Sequence, residues 1–266
     1  MGQPARAACI IGWPAKQSRS PMLHGYWLRT LGVDGEYRAE ERTPDEFPGF
    51  VANLARHGYV GANVTMPHKD AALALSQPDE RARAAGAANT LWLGRGELRS
   101  TNTDIEGFIA ALDLRAPGWD QRTSTAVVLG AGGTGRAIVY GFLERGIRTV
   151  FVVNRTRAKA EEMRDRFGSD VHAAAFEDLP RLLAGTPLLA NATSLGMVGK
   201  AALTVDLSPM PEGSVIGEAV NVPLVTPLLA AARARGFQTA DGLDMLLHQA
   251  VRGFELWFGV RPKVTD

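Results

Sequence analysis

A glycine-rich stretch behind an apolar run is the part of the chain whose spacing most directly predicts chemistry. Gly130, Gly132 and Gly135 fit the pattern G-x-G-x-x-G, and the apolar residues 125–129 precede them. This spacing lets backbone amides at a helix N-terminus approach a pyrophosphate group. A bare match also occurs in purely structural turns, but a second apolar stretch, 149–154, follows at the distance that a strand–helix–strand unit requires. The sequence therefore predicts a dinucleotide-binding turn.

The end of that second apolar stretch indicates which dinucleotide is preferred. An acidic side chain there would bind the ribose hydroxyls of NAD, whereas this chain has Asn154, Arg155 and Thr156. A guanidinium offers a planar pair of donors that matches a 2′-phosphate. Arg155 could also be a solvated surface residue, because Arg148 and Arg157 lie close to it in the sequence. The missing acid together with Arg155 favours NADP.

Polar residues also gather where apolar runs of the first hundred residues end. These segments are 12–24, 63–69 and the pair 89–90 and 101–104. In the first of them, Ser18 and Ser20 bracket a helix start that has Pro21 as its first residue. N-terminal capping accounts for Ser20 but leaves Ser18 unexplained. These polar segments indicate the substrate side of the molecule.

The elements that must position these residues alternate along the chain. Short apolar runs and helical stretches follow one another, which predicts an α/β protein built mainly from parallel strands. The predicted strands span residues 7–13, 35–42, 61–65, 91–93, 126–129, 149–154, 188–191 and 214–217. The predicted helices span residues 21–31, 44–57, 69–75, 105–112 and 245–258, besides the helix that opens at the glycine turn. The helix 105–112 would connect two domains.

Composition and charge argue against several other classes of function. The 266 residues include 29 Lys and Arg against 28 Asp and Glu, a net charge of +1, which leaves no electrostatic footprint for nucleic acid or an anionic membrane. The single cysteine, Cys9, cannot form an internal disulfide, and the five histidines show no metal-ligand spacing. No apolar run approaches the roughly 18 residues of a membrane span, and no secretory signal is evident. We therefore expect no metal, no nucleic acid, no membrane and a cytoplasmic location.

Seven short motifs, in register along nearly the whole chain, resemble those of the shikimate dehydrogenase family. They are S-x-S-P at 18–21, N-V-T-x-P-x-K at 63–69, G-A-x-N-T at 86–90, N-T-D-x-x-G at 102–107, G-x-G-G at 130–133, N-R-T at 154–156 and N-A-T-S-x-G-M at 191–197. Near the end of the chain, residues 245–249 resemble the family's closing helix.

The resemblance implies a reaction and a fold. The chain would interconvert 3-dehydroshikimate and shikimate, or a close cyclic hydroxy acid, by hydride transfer with NADP, within aromatic amino acid biosynthesis through the chorismate pathway. An N-terminal α/β substrate-binding domain, residues 1–103 and 238–266, would accompany a Rossmann-type doubly wound NADP-binding domain, residues 104–237. The C-terminal helix would return to the first domain, and the protein would be a monomer or a homodimer.

The resemblance also implies the role of individual residues. Lys69 and Asp104 would form the catalytic pair, since a Lys ammonium beside a carboxylate can stabilise a developing alkoxide and move its proton. Ser18 and Ser20 would bind the substrate carboxylate. The substrate ring hydroxyls would be bound by Thr65, Asn89, Asp104 and Gln249. The residues expected around the cofactor are Gly130, Ala131, Gly132, Gly133, Thr134, Asn154, Arg155, Thr156, Thr193, Met197 and Gly242.

Four positions depart from the family pattern. Gly25 stands where Asn is common, and Gly135 stands where Ser is common. Asn221 replaces a Tyr that helps to line the substrate pocket. Asp244 replaces a Gly near the nicotinamide, where an added carboxylate would favour the oxidised, positively charged ring. These departures leave two alternatives open: a paralogue that prefers quinate, aminoshikimate or another relative, and a non-catalytic dinucleotide-binding regulatory protein.

Overall fold

The computed structural model describes residues 6–265 and divides into two compact units. The first unit comprises the described residues up to Thr103 together with those from Gln249 onward, and the second comprises Asp104–His248. The chain therefore passes from one unit to the other twice, after Thr103 and after His248. Each unit has its own six-stranded sheet.

The first unit places the ends of several strands at one edge of its sheet. Its elements, in chain order, are β1 (Arg6–Gly12), α1 (Ser20–Thr30), β2 (Gly35–Glu41), α2 (Phe47–Ala52), β3 (Tyr59–Val64), α3 (Lys69–Ala74), β4 (Gln77–Pro78), α4 (Glu80–Ala85), β5 (Thr90–Gly94) and β6 (Glu97–Thr101). The strand order is β2-β1-β3-β5-β6-β4. Strand β1 is parallel to β2 and β3, whereas β5 is antiparallel to both β3 and β6. The C-terminal ends of β1, β3 and β6 and the N-terminal end of β5 consequently share one edge.

The second unit is a doubly wound parallel sheet. Its elements are α5 (Asp104–Arg115), β7 (Thr125–Leu129), α6 (Gly133–Glu144), β8 (Thr149–Val153), α7 (Arg157–Phe167), β9 (Val171–Ala174), α8 (Leu179–Leu183), β10 (Leu188–Asn191), β11 (Val215–Glu218), α9 (Pro227–Ala234), β12 (Gln238–Ala240) and the start of α10 (Gly242–Phe258). The strand order is β12-β11-β10-β7-β8-β9, and every neighbouring pair is parallel. This is the order of a Rossmann fold, which binds ligands outside the C-terminal ends of the strands where the order reverses, here between β7 and β10. The predicted fold class is confirmed.

Strands β7 and β8 are apolar after their first residue, a threonine in each, because both faces of their sheet are covered. Val127 and Leu129 pack in a cluster with residues of α8 and α9, whereas Ala126 and Val128 pack in a second cluster with residues of α5 and α6. A parallel sheet that is buried on both faces gives continuous apolar runs instead of alternation. The glycine turn therefore follows a strand that is buried from Ala126 to Leu129.

Helix α10 begins in the second unit and ends in the first. In the first unit its residue Trp257 lies on Gly61 of β3, where an added Cβ would come within 2.1 Å of the indole nitrogen. The indole N–H donates a hydrogen bond to the carbonyl of Leu91 at 2.8 Å. Burial of such a ring removes about 150–250 Å² from water, or about 4–6 kcal/mol before conformational entropy is counted. The C-terminal half of α10 is thus an integral part of the first unit.

The second boundary between the units lies later than the sequence indicates. We expect it at 237/238 from the sequence, and the structure places it at 248/249. Residues Gln238–Ala240 form β12, which pairs with β11 in the sheet of the second unit. The boundary then falls inside α10, where no change of composition marks it.

Two negative findings apply to residues 6–265. No helix in this range is long and apolar enough to cross a membrane. No group of three or more His, Cys, Asp and Glu side chains in the same range is placed to hold a metal ion.

Candidate active site

Polar side chains meet at the shared edge of the first sheet, around Asn89. Its Oδ1 accepts hydrogen bonds from the amide of Thr103 at 2.8 Å and from the hydroxyl of Thr90 at 3.1 Å. Its Nδ2 donates to Thr103 Oγ1 at 3.0 Å and to Gln249 Oε1 at 3.4 Å. All four residues are buried. The structure therefore brings Asn89 and Gln249 together in what we call the Asn89 cluster (Asn89, Thr90, Thr103 and Gln249), whose donors and acceptors suit ligand hydroxyls.

A second layer of polar groups supports the Asn89 cluster from β3 and β2. Asn63 Nδ2 donates to Thr90 Oγ1 at 3.2 Å, and Asn63 Oδ1 accepts a hydrogen bond from the hydroxyl of Tyr37 at 2.6 Å. Burial raises the pKa of Tyr37 well above its ordinary value, so its hydroxyl remains a donor. This layer fixes the orientation of the Asn63 amide and, through it, that of the Thr90 hydroxyl.

At the start of α1, Ser18 and not Ser20 accepts the hydrogen bond of a helix amide. Helix α1 begins at Ser20, and Ser18 Oγ accepts a hydrogen bond from the Ser20 amide at 3.2 Å. Ser18 thus satisfies an amide at the helix start, and the expectation that capping accounts for Ser20 is wrong. Ser20 is 2% exposed, and its hydroxyl lies beside the phenol of Tyr37. Glu41 fixes the preceding loop by accepting a hydrogen bond from the Ala15 amide at 3.1 Å.

Thr65 and Lys69 lie on the turn that follows β3. The Thr65 amide donates to the carbonyl of Ile11 at 2.9 Å, which ties the turn to β1. Lys69 is the first residue of α3, and its carbonyl accepts a hydrogen bond from the Ala88 amide at 3.0 Å. Thr65 and Lys69 are both partly exposed. The turn is therefore held on one side by β1 and on the other by the residue that precedes Asn89.

Asp104 is the first residue of the second unit and of α5. It is 5% exposed and lies in the first turn of that helix. A carboxylate is favoured at this end by the helix dipole. The sequence places Asp104 in the catalytic pair, and the local structure gives it a fixed position at a helix N-terminus.

His24 and His68 each stack on an aromatic side chain of the first unit. The ring of His24 stacks on Tyr37 with centroids 4.1 Å apart, and neither ring nitrogen has a hydrogen-bond partner among the described residues. Burial lowers the pKa of His24 to about 3, and the side chain of Asn63 opposes only part of that shift. His68 stacks on Phe47 with centroids 4.3 Å apart, and burial lowers its pKa as well.

In the second unit, the backbone of the glycine turn is not covered by side chains at Gly132. Gly130 has a φ of 102°, in the region that favours glycine. Helix α6 starts after Gly132 without a side-chain cap, and an added Cβ at Gly132 would meet nothing within 4 Å. The same addition at Gly135 would come within 2.1 Å of the Gly130 carbonyl oxygen. Gly135 thus has a local structural reason here, because it lets α6 pack directly against the turn.

Asn154 joins the glycine turn to the end of β8. Its Oδ1 accepts a hydrogen bond from the Ala131 amide at 3.2 Å, and its Nδ2 donates to the carbonyl of Thr156 at 2.8 Å. Arg155 and Thr156 are exposed, and Arg155 makes no hydrogen bond or ion pair within residues 6–265. Its neighbour Arg157 is paired with Glu161 at 3.0 Å. Of these two arginines, Arg155 is the one available to an anion.

Glu218 links the loops that follow β10 and β11. It accepts hydrogen bonds from Asn191 Nδ2 at 2.8 Å, the Val220 amide at 3.0 Å and the Thr226 hydroxyl at 2.9 Å. Asn191 Oδ1 in turn accepts from the amide of Thr193 at 3.0 Å. Burial raises the pKa of Glu218 to about 7. Thr193 is thereby held where the strand order reverses.

The start of α10 packs against the loop that follows β11. An added Cβ at Gly242 would come within 2.2 Å of the Val220 carbonyl oxygen, so this glycine permits the close approach. Asp244 accepts hydrogen bonds from Arg115 Nε at 2.7 Å and Arg115 Nη2 at 3.0 Å, and its side chain is 6% exposed. The negative charge that Asp244 adds is therefore paired with the Arg115 guanidinium.

Three further residues predicted to bind the cofactor lie in the second unit. They are Gly133 and Thr134 in the first turn of α6 and Met197 in the loop after β10. Sequence reasoning did not single out Tyr37, Glu218 or Arg115. Glu218 could have been noticed, because it is a polar residue at the end of an apolar run. Tyr37 lies on a strand without buried residues and Arg115 lies at a helix end, so neither position carries such a signal.

Models of three shikimate dehydrogenase domains match the chain in order. The substrate-binding domain model matches residues 10–91, the shikimate/quinate 5-dehydrogenase model matches residues 115–198, and the C-terminal domain model matches residues 242–265. Among solved structures, shikimate 5-dehydrogenase from Thermus thermophilus in complex with NADP(H) and shikimate is 33% identical, with a TM-score of 0.83, over 97% of this chain and 95% of that one. Quinate dehydrogenase from Corynebacterium glutamicum in complex with NAD is 27% identical, with a TM-score of 0.88, over 97% and 95%.

Curated relatives are similar along the whole chain. The NADP(+) shikimate dehydrogenase of Rhodopseudomonas palustris strain TIE-1 is 59% identical over 265 residues, which cover 100% of this chain and 95% of that protein. The enzyme of the same name from Nitrobacter winogradskyi is 58% identical, over 98% of this chain and 93% of its own. Identity at this level over the full length, together with the three domain models, establishes that the chain belongs to the shikimate dehydrogenase family.

Proposed function

We propose that this chain is an NADP-dependent shikimate dehydrogenase that interconverts 3-dehydroshikimate and shikimate in aromatic amino acid biosynthesis. The observation that carries the proposal is the 59% identity, over 100% of the chain, with a curated NADP(+) shikimate dehydrogenase. The Asn89 cluster and the open glycine turn supply the two kinds of binding surface that this reaction needs. We further propose that the enzyme acts in the cytoplasm as a monomer or a homodimer.

The Asn89 cluster recognises the ring hydroxyls of the substrate. Asn89 and Gln249 of this cluster, together with Thr65 on the turn after β3, offer amide and hydroxyl groups that both donate and accept, as a polyhydroxylated ring does. Ser18 and Ser20 bind the carboxylate. The burial of Ser20 supports this role, because a hydroxyl held out of water gains more from an anionic partner than an exposed one does.

Lys69 and Asp104 handle the proton at the reacting oxygen. In the oxidation direction the hydroxyl O–H bond breaks, its proton passes to this pair, and the C–O bond becomes a carbonyl as the ring carbon loses a hydride. In the reverse direction the pair returns the proton to the developing alkoxide. The cofactor, when bound, supplies or accepts the hydride.

The second unit has the residues that a dinucleotide phosphate requires. The first turn of α6 lacks a side-chain cap, and no side chain covers the backbone at Gly132. A pyrophosphate can therefore approach the backbone amides of this turn. Arg155 is exposed and Thr156 is beside it, with no acidic side chain at the end of β8. A 2′-phosphate is the anion that this arrangement fits. NADP is therefore preferred over NAD.

A panel of cyclic hydroxy acids, assayed with NADP and with NAD by the absorbance of the reduced cofactor, tests the function. Shikimate with NADP should give the highest kcat/KM. Absence of turnover with every acid, despite binding of NADP, would contradict the catalytic proposal and favour a regulatory protein.

A quinate-preferring enzyme is the second candidate. Asn221 stands on the loop that Glu218 and Gly242 hold in place, and the resemblance places an aromatic side chain at this position. A solved quinate dehydrogenase also matches this fold with a TM-score of 0.88. A higher kcat/KM for quinate than for shikimate in the same panel would select this candidate.

A further inference from the structure

Helix α10 carries Gln249 of the Asn89 cluster, yet the helix begins in the other unit. Two contacts fix its start within the second unit. Asp241 Oδ1 accepts hydrogen bonds from the amides of Leu243 at 3.0 Å and Asp244 at 3.1 Å, and so acts as an N-cap. Gly242 lies against the Val220 carbonyl. These contacts fix where the helix starts, and Met245, one residue after Asp244, packs in the core of the same unit.

The ion pair between Asp244 and Arg115 adds a directional contact to this packing. Arg115 is the last residue of α5, and Asp244 lies in the first turn of α10. Each charge is favoured by the dipole of its own helix. The guanidinium contacts both carboxylate oxygens, at 2.7 and 3.0 Å, and a planar fork of this kind sets direction as well as distance.

His248, the next ionisable residue of α10, carries no charge that could pair with Asp244 at neutral pH. His248 lies one turn further along the helix, and burial lowers its pKa more than the Asp244 charge raises it. His248 is therefore neutral at neutral pH, and its Nε2 makes no hydrogen bond within residues 6–265. Arg115 is consequently the group that holds the Asp244 carboxylate.

We propose that Arg115 and Asp244 are a positioning pair that fixes α10 and thereby sets the placement of Gln249 in the Asn89 cluster. The proposal rests on the proposed function of that cluster. Gln249 follows Asp244 by five residues, or about 7.5 Å along the helix axis, so a tilt of the first turn is transmitted to it. The family resemblance leads us to expect glycine at position 244, so the resemblance itself does not imply this pair.

Substitution of Asp244→Asn tests the pair, with Asp113→Asn as the matched control. Asp113 lies on the same helix α5 and accepts two hydrogen bonds, at 2.8 and 2.9 Å, from Arg145, which does not belong to α10. We expect Asp244→Asn to raise KM for shikimate about 5–20-fold, with kcat and the Kd of NADP changed less than about 3-fold. Arg115→Lys should act in the same direction but more weakly, because it keeps the charge without the fork. An equal rise of KM in Asp113→Asn would overturn the proposal, since the effect would then be general destabilisation.

Amide hydrogen exchange provides a readout that does not depend on turnover. Asp244→Asn should accelerate exchange in residues 242–249, whereas Asp113→Asn should leave that segment as in the wild type. Unchanged exchange in Asp244→Asn would overturn the positioning pair whatever the activity. If the wild type does not turn over shikimate, the proposed function fails, and the exchange data still decide whether the pair holds α10.

Discussion

The polar residues of the two units are organised in opposite ways. In the first unit, Asn89, Thr103 and Gln249 are buried and hydrogen-bonded to one another. In the second unit, Gly132 leaves its backbone open and Arg155 is exposed without a partner among the described residues. A buried polar group left unpaired costs about 1–3 kcal/mol, so the buried polar groups of the first unit have to be hydrogen-bonded to one another when no ligand is bound. An exposed cation and backbone amides are solvated by water until an anion arrives.

This difference predicts where substitutions are most damaging. A change in the buried residues of the first unit should affect folding and turnover together. A change at the exposed groups of the second unit should alter cofactor affinity alone, and by an amount that depends on salt concentration.

The largest effect is expected in the first unit, at Lys69. Lys69→Ala should lower kcat by about 10²–10⁴-fold, as expected for a lost general acid–base group, with little change in NADP affinity. Steady-state kinetics and a cofactor titration measure the two quantities. Lys16→Ala is the control, because Lys16 is an exposed lysine of the same unit, 3.3 Å from Glu41. Near-normal turnover in Lys69→Ala would remove this residue from the mechanism.

The pH dependence of stability should reveal the buried histidine of the first unit. The pKa of His24 falls from 6.5 to about 3 on folding, so the unfolded chain binds more protons between these values and stability decreases as pH falls below about 6.5. Over two pH units this amounts to about 2–3 kcal/mol in the free energy of unfolding. Chemical denaturation of the wild type and His24→Leu between pH 6.5 and pH 4.5 measures it.

The difference between those two proteins isolates His24. Glu218 of the second unit has a pKa raised to about 7, so its contribution has the opposite sign: it makes the protein more stable as pH falls from about 7. Both proteins contain Glu218, and its effect cancels in the comparison. A wild-type minus variant difference that does not change with pH would contradict the neutral, buried state of His24.

A smaller effect is expected in the second unit, at Arg155. Arg155→Asp should weaken NADP binding about 10–100-fold, because a charge-assisted phosphate contact becomes a repulsion, and should leave NAD binding unchanged or improved. Fluorescence titrations with both cofactors measure this selectivity. Arg157→Asp is the matched control, since Arg157 is equally exposed but paired with Glu161. Equal affinity of the wild type for NAD and NADP would show that the role assigned to Arg155 is wrong.

Local patterns made the fold and the cofactor turn predictable from the sequence. The order strand, Gly130-x-Gly132, helix predicts a strand–turn–helix unit, and the apolar runs 126–129 and 150–153 follow from a sheet buried on both faces. Short strands were not predictable. β4 has 2 residues and β12 has 3, too few for a period to show, and they form because longer neighbours offer them a hydrogen-bonding edge.

Pairings between distant residues were not predictable either. Asp244 reads as an isolated added charge in the sequence, because Arg115 lies 129 positions away. Ser18 and Ser20 both suit capping, and only the observed start of α1 shows that Ser18 meets the amide. In both cases the residue type indicated a charge or a hydrogen-bonding group, whereas the partner of that group was determined by the folded structure. Motif resemblance supplied the candidate residues Lys69 and Asp104, whose catalytic roles remain predictions.

The smallest effect is expected at Asn221, a departure from the family pattern on the loop after β11. Asn221 is partly exposed, and the preceding residue, Val220, is held by Glu218 and lies against Gly242, so we expect the loop to keep its backbone when an aromatic side chain is introduced. Asn221→Tyr should raise kcat/KM for shikimate several-fold, about 1 kcal/mol, relative to quinate, because the ring fills volume and its hydroxyl offers one further polar contact. Asn221→Phe separates the two contributions, since it adds the ring alone. Asp244→Gly, by contrast, should give no gain, because it removes the partner of Arg115. If the wild type is already fast with shikimate and Asn221→Tyr gains nothing, then asparagine at this position is neutral, and the substrate preference is set by the buried Asn89 cluster of the first unit.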